Sequence, residues 1–219
     1  MRRMIGPILF GVIGVAILVG LGIWQLQRLA VKEAKLAQIA AMLGAEPVAL
    51  PEAVTVAGDR YRGVRVAGRF TGEVLFKLDS LRDGGPGKRV IAVFEVAGGR
   101  RLLVDRGILP DGRKAPLLAH VAVVVGNLDW PQEADSYTPP PEGDLWFARD
   151  VAGMAAVLGA EPVMVVAQEP TGDGIVPVPV DTATIPNDHW NYAMTWFSLA
   201  LAWLGMTAAL LWRIRRRGE

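Results

Sequence analysis

The sequence contains no cysteine. Disulfides, thiolate nucleophiles, cysteine-ligated metals and iron–sulfur clusters are excluded at once. Histidine is scarce, with 2 in 219 residues, so a zinc site with three protein ligands would have to recruit carboxylates. Neither sign of charge is in excess. Lys and Arg number 23 and Asp and Glu 22, a net charge of +1, which points to no nucleic-acid partner. Enzyme signatures are missing too: there is no Gly-x-Ser-x-Gly, no phosphate-binding Walker loop, no His-Glu-x-x-His and no dinucleotide fingerprint.

Charge is absent altogether from two long runs, 4–27 and 191–212, while everything between mixes charge, Gly and Pro in ordinary proportions. Within these runs, 5–23 offers 19 uncharged residues and 193–212 offers 20. A bilayer core needs about 20 helical residues at about 1.5 Å each. The expected fold class is therefore a membrane protein, with two transmembrane α-helices flanking one central domain. The segments are a first span at 5–23, a helical extension at 24–43, a domain at 48–185, a second span at 191–212 and a basic tail at 213–219.

The first apolar run is longer than a signal peptide's, and no small-x-small cleavage site follows closely, so an uncleaved anchor is expected. No Arg- and Ser-rich transit segment precedes it, which favours a bacterial chain. Orientation follows from Lys and Arg beside the spans. Arg2 and Arg3 are balanced by Arg28, Lys32 and Lys35 across the first span. Arg213, Arg215, Arg216 and Arg217 break the tie. Both termini are expected in the cytoplasm of a cell with a single inner (plasma) membrane facing the periplasm. The central domain is expected to be periplasmic.

That domain reads as mostly antiparallel β, a barrel or a sandwich. Along 60–70, Val64, Val66, Gly68 and Phe70 share one face, and Arg65, Ala67 and Arg69 the other. Val74, Phe76 and Leu78 repeat the alternation, with Thr71-Gly72 as an expected hairpin turn. Further strands are expected at 90–96, 101–104, 121–125 and 163–167, with loops at 83–87 and 139–141. One short helix fits 150–158: Asp150 caps it, Val151, Met154, Ala155 and Leu158 form its inner stripe, and Gly159 ends it. Asp105-Arg106-Gly107 and Arg149-Asp150 read as structural ion pairs, and His120 as a structural histidine.

Two features border the spans. Gln25, Arg28, Lys32 and Lys35 recur at helical spacing as a polar stripe, read as a solvated or headgroup face. His189, Tyr192, Trp196 and Trp203 fall at i, i+3, i+7 and i+14 on one face of the second helix. This face has two readings. One is an interfacial aromatic belt with a snorkelling imidazole. The other is a dock for a flat apolar cofactor, where imidazole ligates iron and aromatic rings flank a macrocycle. Arg28 or Lys32 would then meet the cofactor's carboxylates. Small residues are expected to let the spans pack, with Ala16 and Gly20 opposite Ser198 and Ala202.

Gly22-Ile23-Trp24-Gln25-Leu26-Gln27-Arg28 resembles the Gly-x-Trp-Gln-x-x-Arg signature of the surfeit locus protein family. Asn187-Asp188-His189-Trp190-Asn191-Tyr192 through Phe197 is similar to its second signature. Val104-Asp105-Arg106-Gly107-Ile108-Leu109-Pro110 and Trp146-Phe147-Ala148-Arg149-Asp150 resemble two weaker family features. The chain departs at Val31, where an aromatic is common, and at Ile108, where Trp is common. The resemblance covers about 5–213. It implies a non-enzymatic assembly factor for haem–copper cytochrome c oxidase that binds haem a transiently and hands it to the catalytic oxidase subunit. By motif match His189 would hold the haem iron, with Trp196 beside it. Tyr192, Arg28 and Lys32 complete the expected site. Membrane lipid and haem a synthase are the other expected partners. The competing expectation is a cofactor-free membrane chaperone that stabilises the immature oxidase subunit while another protein inserts haem.

Overall fold

The computed structural model describes residues 2–81, 85–113, 115–183 and 185–216. Arg217, Gly218 and Glu219 at the end of the basic tail lie outside the described residues, as do Asp83 and Gly84 of the expected loop. The chain divides into two compact units, Met1–Gln38 with Thr182–Glu219, and Ile39–Asp181.

The first unit is a helix pair. Helix α1 (Arg2–Leu43) starts just ahead of the first apolar run, takes it in and continues unbroken well past it. Gly44 follows directly, its N–H donating to the Ala40 carbonyl at 3.0 Å. The C-terminal helix (His189–Arg216) starts where Asp188 offers its carbonyl to the N–H of Tyr192 at 3.1 Å. Both helices are long and apolar enough to cross a membrane, consistent with a membrane protein.

The second unit is built on a sheet of seven strands: β1 (Val48–Ala49), β2 (Gly63–Leu81), β3 (Gly85–Val96), β4 (Arg101–Pro110), β5 (His120–Leu128), β6 (Leu145–Trp146) and β7 (Met164–Ala167). The order is β1-β2-β3-β4-β7-β5, and β5 also pairs back to β2. The pairings β2–β3, β2–β5, β3–β4 and β5–β7 are antiparallel; β1–β2, β2–β6 and β4–β7 are parallel. The alternation read along 64–70 holds. Val64, Val66 and Phe70 are buried, with Arg65, Ala67 and Arg69 outward.

The expected hairpin at Thr71-Gly72 does not form. Strand β2 runs straight through it, with an irregularity in its register against β3 between Phe70 and Val74. Gly72 takes φ +91°, so the extra residues are absorbed as a bulge instead of reversing the chain. Its first half pairs with β5 and its second half with β3. Gly85, Pro86 and Gly87, expected in a loop, are the first residues of β3.

Residues of β2, β3, β4, β5 and β7 turn into one apolar cluster that includes Val64, Phe70, Phe94, Leu102, Val124 and Val165. Phe70 and Phe94 meet edge-on at 4.8 Å between ring centres. Burying each such ring contributes roughly 1.5–3 kcal/mol. A second cluster forms where Met154 and Ala155 of a short helix pack on Leu75, Ile91 and Leu103. This helix, α3 (Val151–Leu158), is built as its sequence specifies. The Asp150 side chain accepts from the Gly153 N–H at 3.0 Å, and Gly159 closes the C-terminus at φ +59°. A shorter one-turn helix, α2 (Val56–Asp59), was not expected; Thr55 caps it. The C-terminal helix is accordingly α4.

Candidate functional site

The helix pair is antiparallel and packs on glycine, though not on the residues expected. Gly20 has open space where a side chain would project, and Ala16, Ser198 and Ala202 are exposed. The close approaches are at Gly11, Gly14 and Gly22. A Cβ there would collide with Thr207, Trp203 and Phe197 respectively. The reason is shape. Two bulky α4 side chains, Trp203 and Phe197, sit over Gly14 and Gly22, so large-into-small packing replaces small-on-small except where Gly11 meets Thr207. Phe10 adds a tilted contact with Trp203 at 5.1 Å between ring centres. Trp203 is thus a packing residue of the seam, and its indole N–H is buried without a partner.

Gln25 continues the same seam, three residues beyond Gly22. It is 9% exposed, whereas Arg28 and Lys35 are exposed and Lys32 is half-buried. The polar stripe expected at Gln25, Arg28, Lys32 and Lys35 is therefore not one solvated face. Gln25 has left it to meet His189. Its side-chain carbonyl Oε1 lies 2.8 Å from His189 Nδ1. Nε2 of His189 has no hydrogen-bond partner among the described residues. The two sequence signatures that border the spans meet through this bond and through the packing of Phe197 over Gly22.

The other expected site residues distribute around it. Trp196 is half-buried on α4, and Tyr192 is 57% exposed. Arg28 stacks its guanidinium over the Trp24 ring, 5.3 Å from the centre, and has no carboxylate partner among the described residues. Asn187, two residues before His189, holds a buried side-chain oxygen with no partner. No group of three His, Asp or Glu side chains able to hold a metal ion exists among the described residues. A lone imidazole with a free nitrogen suits only a metal that brings most of its own ligands, as a porphyrin does.

The partner of His189 was missed from the sequence. The available signal was periodicity: Gly11, Leu18 and Gln25 are seven apart, so Gln25 lies on the glycine seam and not on the basic stripe.

Charged residues elsewhere bind one another. Asp105 is fully buried on β4; its carboxylate accepts from Arg89 and from Arg149 at 2.9 Å each, and from the Gly107 N–H at 3.1 Å. Arg89 also reaches Asp79 at 2.7 Å, and Arg149 pairs with Glu133. Burial alone would raise the Asp79 and Glu133 carboxyls, but the bonds from Arg89 and Arg149 outweigh it and hold both below the ordinary value. Arg106 is equally spoken for, by Asp173 and Thr171 and by the ring of Phe70 beneath it. Gly107 follows at φ +103°, where a Cβ would strike the Val176 backbone bridged to Ile108. The two central signatures are thus structural, as read. His120 is likewise occupied, Nδ1 on the Leu118 carbonyl at 2.9 Å and its ring 5.0 Å from Phe70.

A β unit flanked in sequence by two membrane-length helices, with one histidine held at a helix start, defines the class of protein. The model of the SURF1 family matches residues 12–201. The chain is 32% identical to a SURF1-like protein of Drosophila melanogaster, covering 84% of this chain and 70% of that one. It is 31% identical to a SURF1-like protein of Monosiga brevicollis, over 91% and 84%. It is 29% identical to surfeit locus protein 1 of Homo sapiens, over 84% and 70%. The chain belongs to the SURF1 family.

Proposed function

We propose that this chain is a non-enzymatic assembly factor for haem–copper cytochrome c oxidase, carrying haem a as cargo and handing it to the catalytic oxidase subunit. The observation that carries the reading is the His189 imidazole. One nitrogen is tied to Gln25 and the other is unengaged, at the first turn of a membrane-length helix. Its Nε2 would hold the iron as the one ligand the protein supplies, and one protein ligand suits a site that must release what it holds. Tyr192 and Trp196 offer ring faces on the same helix, and Arg28 offers a cation to the carboxylates of the macrocycle.

The helix ends support an orientation in the inner membrane. Arg213, Arg215 and Arg216 close α4, so that end belongs in the cytoplasm and the β unit in the periplasm. With no native cysteine, single cysteines introduced at Tyr137 in the β unit and at Gly218 in the C-terminal tail would report sidedness by labelling in intact cells. Label at Tyr137 alone is expected.

The direct test is an absorption spectrum of detergent-purified protein made with haem a available. Wild type should carry haem a, and His189→Ala should lose it. Full occupancy with an unchanged spectrum in His189→Ala would overturn the assignment. The cofactor-free chaperone reading draws on another observation, the exposed Leu118, Val121 and Val123 at 67%, 81% and 57%. Haem-free protein that still captures the oxidase subunit, and loses it in Val121→Asp, would favour that reading.

A further inference from the structure

The Gln25–His189 bond does more than join two helices. A neutral imidazole has one protonated and one bare nitrogen, and the hydrogen bond to the first decides which nitrogen is available. The Gln25 carbonyl accepts, so the Nδ1 it faces carries the proton. Nε2 is then bare, with no hydrogen-bond partner among the described residues. Gln25 is itself fixed by burial in the seam, just beyond Gly22 and Phe197, so it holds the ring in angle as well as in tautomer.

We infer that Gln25 is the positioning residue of the haem site, locking His189 as the Nδ1–H tautomer and presenting Nε2 as the ligand atom. This rests on the reading that His189 ligates the cargo. The chemistry of the acceptor adds a second point. Metal-bound histidines commonly lean on carboxylates, which strengthen the ligand by drawing on its proton. A neutral amide draws less, so the imidazole binds iron less strongly and releases it more readily. The Gln25 side chain sets both the geometry of loading and the ease of handover.

The chain's two histidines make the tautomer measurable without haem. The full-length protein in detergent, labelled with ¹⁵N-histidine, gives two sets of ring-nitrogen resonances, and His120→Gln assigns them. In haem-free wild type, His189 should be protonated at Nδ1. In Gln25→Leu it should shift to a mixture in which Nε2–H contributes. Gln25→Glu, which keeps an acceptor at the same reach, should restore the Nδ1–H form. In parallel, haem a affinity should fall about tenfold in Gln25→Leu. In Gln25→Glu the bound haem should have a lower reduction potential and transfer more slowly.

An Nε2–H tautomer in wild type would overturn the proposal, as would a tautomer indifferent to Gln25→Leu. If that happens while His189→Ala still abolishes the haem spectrum, the positioning role fails and the carrier reading stands. If the tautomer shifts as expected but His189→Ala keeps its haem, the ligand role fails and the proposal falls with the carrier reading.

Discussion

The two units treat polar groups in opposite ways. In the β unit the buried charges are closed into pairs: Asp105 with Arg89 and Arg149, Arg106 with Asp173, Asp129 with Arg60. The exception among the described residues there is the Trp146 indole N–H, buried without a partner. In the helix pair polar groups are few, yet several are left open: Nε2 of His189, the Asn187 side-chain oxygen and the Trp203 indole N–H. Closed networks satisfy their own charges and leave no valence over for a ligand. An open valence beside a held histidine is where a ligand can act. Density of titratable groups thus points away from the site proposed at His189, and unsatisfied groups point toward it.

The contrast can be broken by substitution. Asp105→Ala leaves two arginines without their buried partner and should cost about 3–5 kcal/mol, read from denaturant unfolding of the full chain in detergent. It should leave the haem spectrum per folded molecule unchanged; a spectrum lost in step would join the network to the site. Phe94→Ala should cost a similar ~3–5 kcal/mol and again spare the spectrum. The seam gives the reciprocal case. Gly14→Leu drives a side chain into Trp203 and should lower the thermal midpoint and the haem occupancy together. Gly20→Leu meets open space and should change neither.

Acid offers a subtler probe. Asp79 and Glu133 are held below their ordinary values when folded, so their contribution is present above about pH 4 and is lost as pH falls through the lower folded values. Unfolding midpoints of the wild type should drop across that window. Glu133→Gln should be less stable at neutral pH and should flatten the drop. An equally steep drop in Glu133→Gln would remove the Arg149–Glu133 pair as its source.

Much of this was legible in the sequence because it depends on local chemistry. Asp150 and Gly159 mark the ends of α3 by capping alone, and the 64–70 alternation gives the buried face of β2. The charge-free runs give both long helices. What was not legible depends on partners distant in the chain. Thr71-Gly72 has turn chemistry, but pairing with β5 on one half and β3 on the other keeps β2 extended through it. The small residues Gly20 and Ser198 look fit for packing, but which glycines face α4 depends on the register set by Trp203 and Phe197. Gln25 sits among basic residues in sequence and at the end of a glycine seam in space. His189 was read from its signature; its partner, 164 residues away, was not.

In the proposed function His189 supplies one replaceable ligand to haem a. That role is tested most directly by His189→Gly purified with haem a available, with and without imidazole in solution. The variant alone should show no haem spectrum, and a wild-type-like spectrum should return when imidazole fills the vacated place. A full haem a spectrum in His189→Gly without imidazole would contradict it.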